Sequence, residues 1–318
     1  QEKYSEYIAS KKKAIIEAKI RQTAILKNNY ISSEEASDII TRRYTTLWQR
    51  RVEDEDFLEV NLGSGSYPMK IEIKYPEDHF SMLEDNLKNM VLNLGQEPKL
   101  LANVPVILSF RNTFISGIVG GNEINEYTRR LLIQLLAMHS YDELKIVFLT
   151  DEEKEYHWRV FKSIPHCFTD DKKLRFFATD NDEYKEICYY LDKIFDYRNE
   201  KQGHGETNNE SFNQSFLIIT DSFKKVRNFD IIKKVLESKK YLGFSLVILD
   251  NKLTNLPNQC SNFIVLNQNE GELRNNQNIN DTIEFALNYT KKIDYDNCTK
   301  TLANIPIELS NNDENQIP

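Results

Sequence analysis

The chain has 318 residues, of which 40% are hydrophobic and 28% charged, and its formal net charge is −8. This composition is ordinary for a globular protein, and the length allows one large core or two modest ones. The acidic balance argues against a nucleic acid as the main partner, because neutralising phosphates needs clustered lysine and arginine, and it gives no reason to expect binding to anionic lipid.

The first 50 residues carry helical signals. Residues 1–30 contain no glycine or proline and are rich in Lys, Glu, Ala and Ile, which predicts a helix of roughly 45 Å at 1.5 Å per residue. A second helix begins at Ser32, where a hydroxyl cap precedes two acidic residues, and runs towards Trp48. We predict a helical stalk over residues 1–50. The alternative is a surface helix that lies on its own domain.

A different pattern follows Arg51. Residues 56–62 and 69–74 alternate between apolar and polar side chains, which is typical of half-buried strands. The segment GSGS at 63–66 lies between them and has the composition of a turn. Together these segments predict a small β-hairpin or a pair of edge strands.

From about residue 100 onwards, short apolar runs alternate with longer segments. The apolar runs predict strands at residues 105–110, 114–119, 144–149, 176–178, 216–219, 244–249 and 261–266. Helices are predicted between them, at residues 122–138, 156–161 and 182–198. The alternation predicts an α/β fold, a doubly wound and mostly parallel sheet flanked by helices. We assign it to residues 51–309 and a polar linker to residues 310–318.

An α/β sheet of this kind raises the question of a phosphate-binding loop. A P-loop needs the pattern G-x-x-x-x-G-K-[ST], in which backbone amides surround the phosphates and the lysine balances their charge. The turn after the strand at 114–119 offers three registers, which begin at Gly117, Gly120 and Gly121. The lysine position then falls on Glu123, Glu126 or Tyr127, respectively. Two registers therefore put a carboxylate where a cation is required, and we predict a degenerate loop without nucleotide.

The strand FLIITD at 216–221 is similar to a Walker B strand. In an active ATPase the terminal aspartate, here Asp221, holds Mg²⁺, and a following acid activates the attacking water. Ser222 stands in place of that acid. The alternative, which we favour, is that Asp221 caps the helix that follows.

Candidate metal ligands are few in the sequence. The clustered ones are His157, His166, Cys167 and His204, and their spacing matches no standard zinc site. The four cysteines form no C-x-x-C pair, which argues against a zinc knuckle and against a disulfide framework. We therefore predict no metal, no cofactor and no catalytic residue in this segment.

Several short segments share a resemblance to one family. They are LWQRR at 47–51, DEDFL at 54–58, LGSG at 62–65, GIVG at 117–120, RRLLIQL at 129–135, HSYD at 139–142, IPH at 164–166, LGFS at 242–245, LPNQC at 256–260 and NEGEL at 269–273. Together they resemble the cytosolic region of the type VII secretion ATPases, the membrane-anchored EssC/EccC proteins of the FtsK/SpoIIIE type. The resemblance spans nearly the whole chain, and it is strongest to the EssC branch of Gram-positive bacteria.

The resemblance implies a place in a longer protein. Forkhead-associated domains and two membrane spans would precede Gln1, and tandem ATPase cassettes would follow Pro318. This segment would be the stalk and the first, degenerate ATPase-like domain, at the cytoplasmic face of the cell membrane. The implied partners are the downstream cassettes of the same chain, other type VII membrane components and secreted protein substrates, with no nucleic acid.

These expectations lead to one main hypothesis about function. The segment would be a pseudo-ATPase that is not itself an enzyme and that couples a membrane anchor to the motor cassettes. Two alternatives stay open at this point. The segment could instead dock secreted substrates or an accessory protein, or it could be a cryptic nucleotide-hydrolysing enzyme or a nuclease.

Overall fold

The computed structural model describes residues 2–69, 100–203, 212–276 and 281–305, and these ranges contain seven α-helices and ten strands. The helices are α1 (Glu2–Asn29), α2 (Ser33–Arg42), α3 (Glu123–Met138), α4 (Asn181–Gly203), α5 (Phe223–Val226), α6 (Asp230–Glu237) and α7 (Tyr295–Ala303). The strands are β1 (Glu59–Pro68), β2 (Leu100–Ser109), β3 (Ile115–Val119), β4 (Leu144–Leu149), β5 (Phe177–Ala178), β6 (Ser215–Thr220), β7 (Phe244–Asp250), β8 (Asn262–Asn267), β9 (Glu270–Asn275) and β10 (Thr282–Ala286).

All ten described strands join one sheet, in the order β2-β1-β10-β9-β8-β3-β7-β6-β4-β5. Every neighbouring pair from β8 to β5 is parallel. Strands β3, β4 and β6 are buried at every residue, as expected for predominantly apolar runs in a parallel sheet. The prediction of a doubly wound, mostly parallel sheet flanked by helices is confirmed.

Helices cover both faces of the parallel strands. Consecutive side chains on a strand point to opposite faces, so Ile118 joins a core cluster with α2, α3 and α7, while Val119 joins a second cluster with α4 and α6. Each face of β3 is therefore shielded from water by helices. This two-sided burial fixes the strand whose carboxyl end leads into the glycine loop.

The antiparallel half of the sheet differs from the prediction. The segment 63–66 is not a turn, because β1 runs straight through it and pairs with β2 on one side and with β10 on the other. A Cβ atom on Gly63 would lie 2.6 Å from the carbonyl oxygen of Ala286, so the glycines allow a close approach of β10. Residues 70–74 of the predicted hairpin lie outside the described residues. Strands β9 and β10 and helix α7 were not predicted.

Residues 155–167 form successive 3₁₀ turns instead of the predicted α-helix at 156–161. Backbone amides bond to the carbonyl three residues earlier at Trp158, Phe161, Ile164 and Cys167. The same four side chains are buried, at 1% exposure or less. A repeat of three residues matches the 3.0 residues per turn of a 3₁₀-helix, which places every buried side chain on one side.

Helix α2 is held in the core, although it falls within the residues assigned to a stalk. The Ser32 hydroxyl accepts from the Glu35 amide at 3.2 Å, and the Glu35 carboxylate accepts from the Ser32 amide at 2.7 Å, which completes a capping box. Ile40 is fully buried in the cluster with α3 and α7. Helix α1 contacts β2, and the predicted boundary at residue 50 stays a prediction.

Gly65→Ala tests the close approach of β1 and β10. The new Cβ would lie 2.5 Å from the carbonyl oxygen of Glu284 and 2.6 Å from a methyl group of Val106. Because the first of these atoms is backbone, the strands must separate, and we expect a loss of about 1–3 kcal/mol in the free energy of unfolding. A urea denaturation series measures it, with the exposed neighbour Ser66→Ala as a control that should stay within about 0.5 kcal/mol. An unchanged Gly65→Ala midpoint would contradict this packing.

Candidate functional site

The carboxyl ends of the central parallel strands meet at one edge of the sheet. Strand β3 lies between β7 and β8, and β6 and β4 follow beyond β7. The loops that leave β3, β4 and β6 at this edge carry the glycine turn, Asp151 and Asp221. In open α/β sheets this edge, where the strand order reverses, is where ligands bind.

The glycine turn is occupied by a side chain of its own helix. The Gly121 amide donates to Glu123 Oε1 at 3.0 Å, and a Cβ on Gly120 would lie 3.1 Å from the same oxygen. The Gly120 amide points instead towards the carbonyl of Asp250, at 3.4 Å. In a P-loop such amides face phosphate oxygens. Here one of them is bonded to a carboxylate from the first turn of α3.

The other two residues of the predicted loop lie elsewhere. Gly117 is within β3, where a Cβ would meet a Leu256 methyl group at 2.3 Å. Glu126 lies in the first turn of α3 and accepts from Arg130 Nε at 2.9 Å and from the Tyr295 hydroxyl at 2.9 Å. The structure therefore brings Gly120, Gly121 and Glu123 together, and it places Glu126 in a separate network.

Asp221 does not cap the helix that follows it, contrary to the alternative that we favoured. Its Oδ2 accepts from the indole Nε1 of Trp158 at 2.8 Å, and its Oδ1 lies 3.1 Å from the Ser222 hydroxyl. Ser222 is the residue before α5, and no side-chain bond caps that helix. The physical reason is that Trp158, a buried residue of the 3₁₀ segment, donates its indole N–H to the Asp221 carboxylate. Trp158 lies 63 residues before Asp221 in the sequence, so the residues around Asp221 do not reveal this bond.

Asp151 is a site residue that sequence reasoning missed. It is 7% exposed and accepts from the Ser222 hydroxyl at 2.9 Å, while Lys154 Nζ and Lys225 Nζ both lie 3.5 Å from its Oδ2. Burial alone would raise the pKa of this carboxyl, but the Ser222 hydroxyl and the two ammonium groups outweigh it and lower the pKa. The available signal was an aspartate just after an apolar strand, the same signal that singled out Asp221.

Ser222 joins the two carboxylates into one network. Its hydroxyl lies within hydrogen-bond distance of Asp151 and of Asp221, and Lys154 Nζ donates to the backbone carbonyl of Asp221 at 2.7 Å. Lys154 thus contacts both loop ends. The network holds the ends of β4 and β6 together on the side of the sheet where α3 begins.

His157 links this network to α3. One of its ring nitrogens, Nε2, lies 3.1 Å from the side-chain amide of Asn125. Burial lowers the pKa of His157, and Arg129 adds to the effect, while Asp221 opposes it. The neutral imidazole is therefore favoured, and it forms a polar contact between the β4 loop and the first turns of α3.

The other candidate metal ligands that the structure describes, His166 and Cys167, are buried in the core. His166 is fully buried, with Nε2 2.9 Å from the carbonyl of His139, and burial lowers its pKa to about 3. Cys167 is buried beside it, and burial raises the pKa of its thiol. Within the described ranges no three His, Cys, Asp or Glu side chains form a group that could hold a metal ion. His204 lies outside those ranges.

No protein-family model matches the chain. The type VII secretion system protein EssC of Staphylococcus aureus (strain MSSA476) is 22% identical over 305 residues, which cover 95% of this chain and 21% of that protein. The ESX secretion system protein EccC of Geobacillus thermodenitrificans (strain NG80-2) is 21% identical over 280 residues, 85% of this chain and 18% of that protein.

A solved structure shares the fold. The cytoplasmic domain of the Thermomonospora curvata type VII secretion ATPase EccC superposes with a TM-score of 0.52 over 81% of this chain and 32% of that chain, at 13% identity. Homology and fold now point the same way. The chain is homologous to the EssC/EccC type VII secretion ATPases. It spans about a fifth of the length of the curated relatives that it matches.

The homology corrects one prediction. We predicted that this segment is not an enzyme, and that prediction is wrong as it was drawn. The EssC/EccC homology extends over 95% of the chain, and the solved protein with this fold is a secretion ATPase. The altered glycine turn is therefore no evidence, by itself, that the segment is inactive.

Among the helices that the structure describes, none has the length and apolar character to cross a bilayer.

Asp151→Asn tests the electrostatics of the site. Because the folded state lowers the pKa of Asp151, its ionised form adds stability at pH values above the ordinary value of about 3.9, and this contribution disappears as pH falls through the lower folded pKa. The variant should therefore be less stable than the native chain at pH 7 and nearly equal to it near pH 2. Urea denaturation across pH measures the difference, with the exposed neighbour Glu152→Gln as control. A difference that grows on acidification would contradict the assignment.

Proposed function

We propose that this chain is a coupling module of a type VII secretion motor, in which movement of the N-terminal helices is transmitted to the helix that follows the glycine turn. The homology to EssC/EccC proteins supports a role in that secretion system. The observation that carries the finer proposal is a single buried guanidinium, Arg130 of α3. Its side chain contacts α2 and the segment that leads into α7.

Arg130 is 5% exposed, and each of its three nitrogens donates to a partner. Nε donates to Glu126 at 2.9 Å, Nη1 to Glu34 of α2 at 2.9 Å, and Nη2 to the carbonyl of Lys291 at 2.9 Å. The Tyr289 ring stacks on the guanidinium at 3.8 Å. A planar fork of donors can join several partners at once, as a lysine ammonium at the end of a flexible stem cannot.

These partners belong to three parts of the chain. Glu34 lies in α2, which follows α1 after three residues, and it also accepts from the Thr290 amide at 3.1 Å. Glu126 lies one turn from the glycine loop and accepts from Tyr295 at the start of α7. A shift of α2 would move Arg130 and hence the first turn of α3. We propose that this is the route by which the N-terminal helices act on the loop.

The same proposal assigns each part of the chain a position in the secretion motor. We propose α1 as the stalk of a cytoplasmic segment close to the membrane, the α/β unit up to residue 309 as an ATPase-like domain, and residues 310–318, outside the described ranges, as a linker. The partners would be further ATPase cassettes of the same protein, other membrane components of the secretion system and secreted proteins. The acidic net charge supports protein partners over nucleic acid.

We propose, separately, that the loop is degenerate as a phosphate site because Glu123 occupies it. Calorimetric titration with Mg²⁺-ATP should give a dissociation constant no tighter than about 100 μM for the native chain. Glu123→Ala frees the Gly121 amide and removes a like charge, so ATP or inorganic pyrophosphate should bind at least about fivefold more tightly. Exposed Glu237→Ala removes an equal charge at the end of α6, before the amino end of β7 and so at the opposite edge of the sheet, and serves as control. Tight binding by the native chain, or no gain in Glu123→Ala, would count against this proposal.

Arg130→Lys tests the coupling. Lysine keeps the charge but cannot reach both carboxylates and the Lys291 carbonyl, so α2 and α3 should lose their fixed relation. In cells whose own gene carries the substitution, we expect secretion of a type VII substrate to fall at least about tenfold. Arg129→Lys is the matched control. Arg129 is the neighbouring residue on α3 and is half-exposed, and the carboxylate that it pairs with is that of Glu126.

A thermal melt of the purified chain separates misfolding from lost coupling. Arg130→Lys should melt cooperatively at a modestly lower temperature, because the buried charge keeps part of its partners. A folded Arg130→Lys protein that supports full secretion would refute the coupling role. Equal loss in Arg129→Lys and Arg130→Lys would also refute it, because the bridge to α2 would then be irrelevant.

A further inference from the structure

The charges of the chain are segregated between α1 and the rest. Residues 6–29 contain six basic and two acidic residues, a net charge of +4 in a chain whose total is −8. The residues outside α1 therefore carry a net charge of −12. Three of the basic residues are consecutive, Lys11, Lys12 and Lys13, and all three are exposed. A basic helix attached to an acidic body is typical of a segment with its own partner.

One side of α1 combines these lysines with exposed isoleucines. Ile16 and Ile20 are 57% and 65% exposed and lie one turn apart. At 100° per residue, Lys12, Ile16, Ile20 and Lys27 fall within an arc of about 80°, with Lys13 and Lys19 on either flank. We name Lys12, Lys13, Ile16, Lys19, Ile20 and Lys27 the outer face of α1.

Most of the α1 side chains that the body covers lie on a different side of the helix, with half-buried Thr23 as the exception. Ile8 is 5% exposed, α1 contacts β2, and Ile15, Gln22 and Leu26 are half-buried. These four residues lie within an arc of about 40°, centred roughly 100° away from the outer face. The isoleucines of the outer face therefore contribute little to the described core and remain available to a partner.

We propose that the outer face of α1 binds the surface of an anionic lipid bilayer. Lysines near such a surface are attracted to its phosphate headgroups, and two isoleucines one turn apart can enter the boundary between headgroups and acyl chains. The acidic body is repelled by the same surface, so the protein is held with α1 towards the bilayer. The inference concerns α1 alone and does not depend on the coupling through Arg130.

The chemistry of the face favours lipid over two other partners. A nucleic-acid backbone would use the lysines but would leave Ile16 and Ile20 in water. A second copy of the chain could offer acidic residues, yet it must also cover the two isoleucines with apolar surface. A bilayer supplies anionic groups and apolar chains within one layer, and it accepts side chains without a fixed geometry.

The experiment uses the full 318-residue chain with sedimenting vesicles of phosphatidylcholine, either alone or with 30 mol% phosphatidylglycerol. We expect binding to the anionic vesicles at 50 mM salt, weaker binding at 300 mM, and little binding to phosphatidylcholine alone. The double variant Lys12→Glu/Lys13→Glu should lower the partition coefficient at least about tenfold. Ile16→Ser/Ile20→Ser should lower it about tenfold without a change of charge.

Matched controls are present in the chain. Lys239→Glu/Lys240→Glu changes the net charge by the same amount at an exposed pair far along the sequence, and Ile25→Ser removes a 50% exposed isoleucine outside the outer face. Both should bind vesicles like the native chain, and all variants should keep its thermal midpoint because the substituted side chains are exposed.

Three outcomes would overturn the proposal. The first is equal binding to both kinds of vesicle, and the second is equal loss in the outer-face variants and their controls. The third is self-association or duplex DNA binding that depends on the outer face without vesicle binding, measured by analytical ultracentrifugation and by anisotropy. The secretion assay of Arg130→Lys is a separate measurement, so the two proposals can fail independently.

Discussion

The buried guanidinium of Arg130 constrains how the described helices pack around the sheet. Taking a cation out of water costs several kcal/mol, so a buried arginine requires bonded donors and a balanced charge. The structure meets this demand with carboxylates from Glu34 and Glu126, a carbonyl from the segment before α7, and the ring of Tyr289. Because those groups come from distant parts of the sequence, satisfying one side chain fixes how α2, α3 and the approach to α7 are placed around the sheet.

The parallel sheet could be predicted because its signal is local. A strand buried on both faces is apolar over most of its length, and β4, β6 and β7 show this, with at least four apolar residues in each. The β1 segment could not be predicted in the same way. Glycines there leave room for β10, which lies more than 200 residues later, so the local composition of a turn was misleading. The α-helix predicted at residues 156–161 was wrong for another reason. A repeat of three residues is close to the α-helical period of 3.6, so the sequence does not distinguish the two helix types.

The same contrast between local and long-range signals applies to the candidate site. The search for a P-loop pointed to a turn that does lie between the end of β3 and the start of α3, because the pattern ties a glycine pair to such a junction. It could not tell that Glu123 folds back onto the Gly121 amide. Nor could it foresee the links between Asp151, Ser222 and Asp221, because the first and last of these are separated by 70 residues and meet only when β4 and β6 pair. A similar limit applies to the assigned helix cap at Asp221, whose real partner is Trp158.

Charge gives the clearest case in which an average misleads. The net charge of −8 gave no reason to expect an anionic lipid as a partner, yet it sums a basic helix and a more strongly acidic body. At physiological ionic strength, exposed charges act over about 8 Å. A surface that meets the outer face of α1 is therefore affected more strongly by the charges of α1 itself than by acidic residues on the far side of the body. The charges close to a contact therefore count for more than the net charge of the chain, and over residues 6–29 they sum to +4.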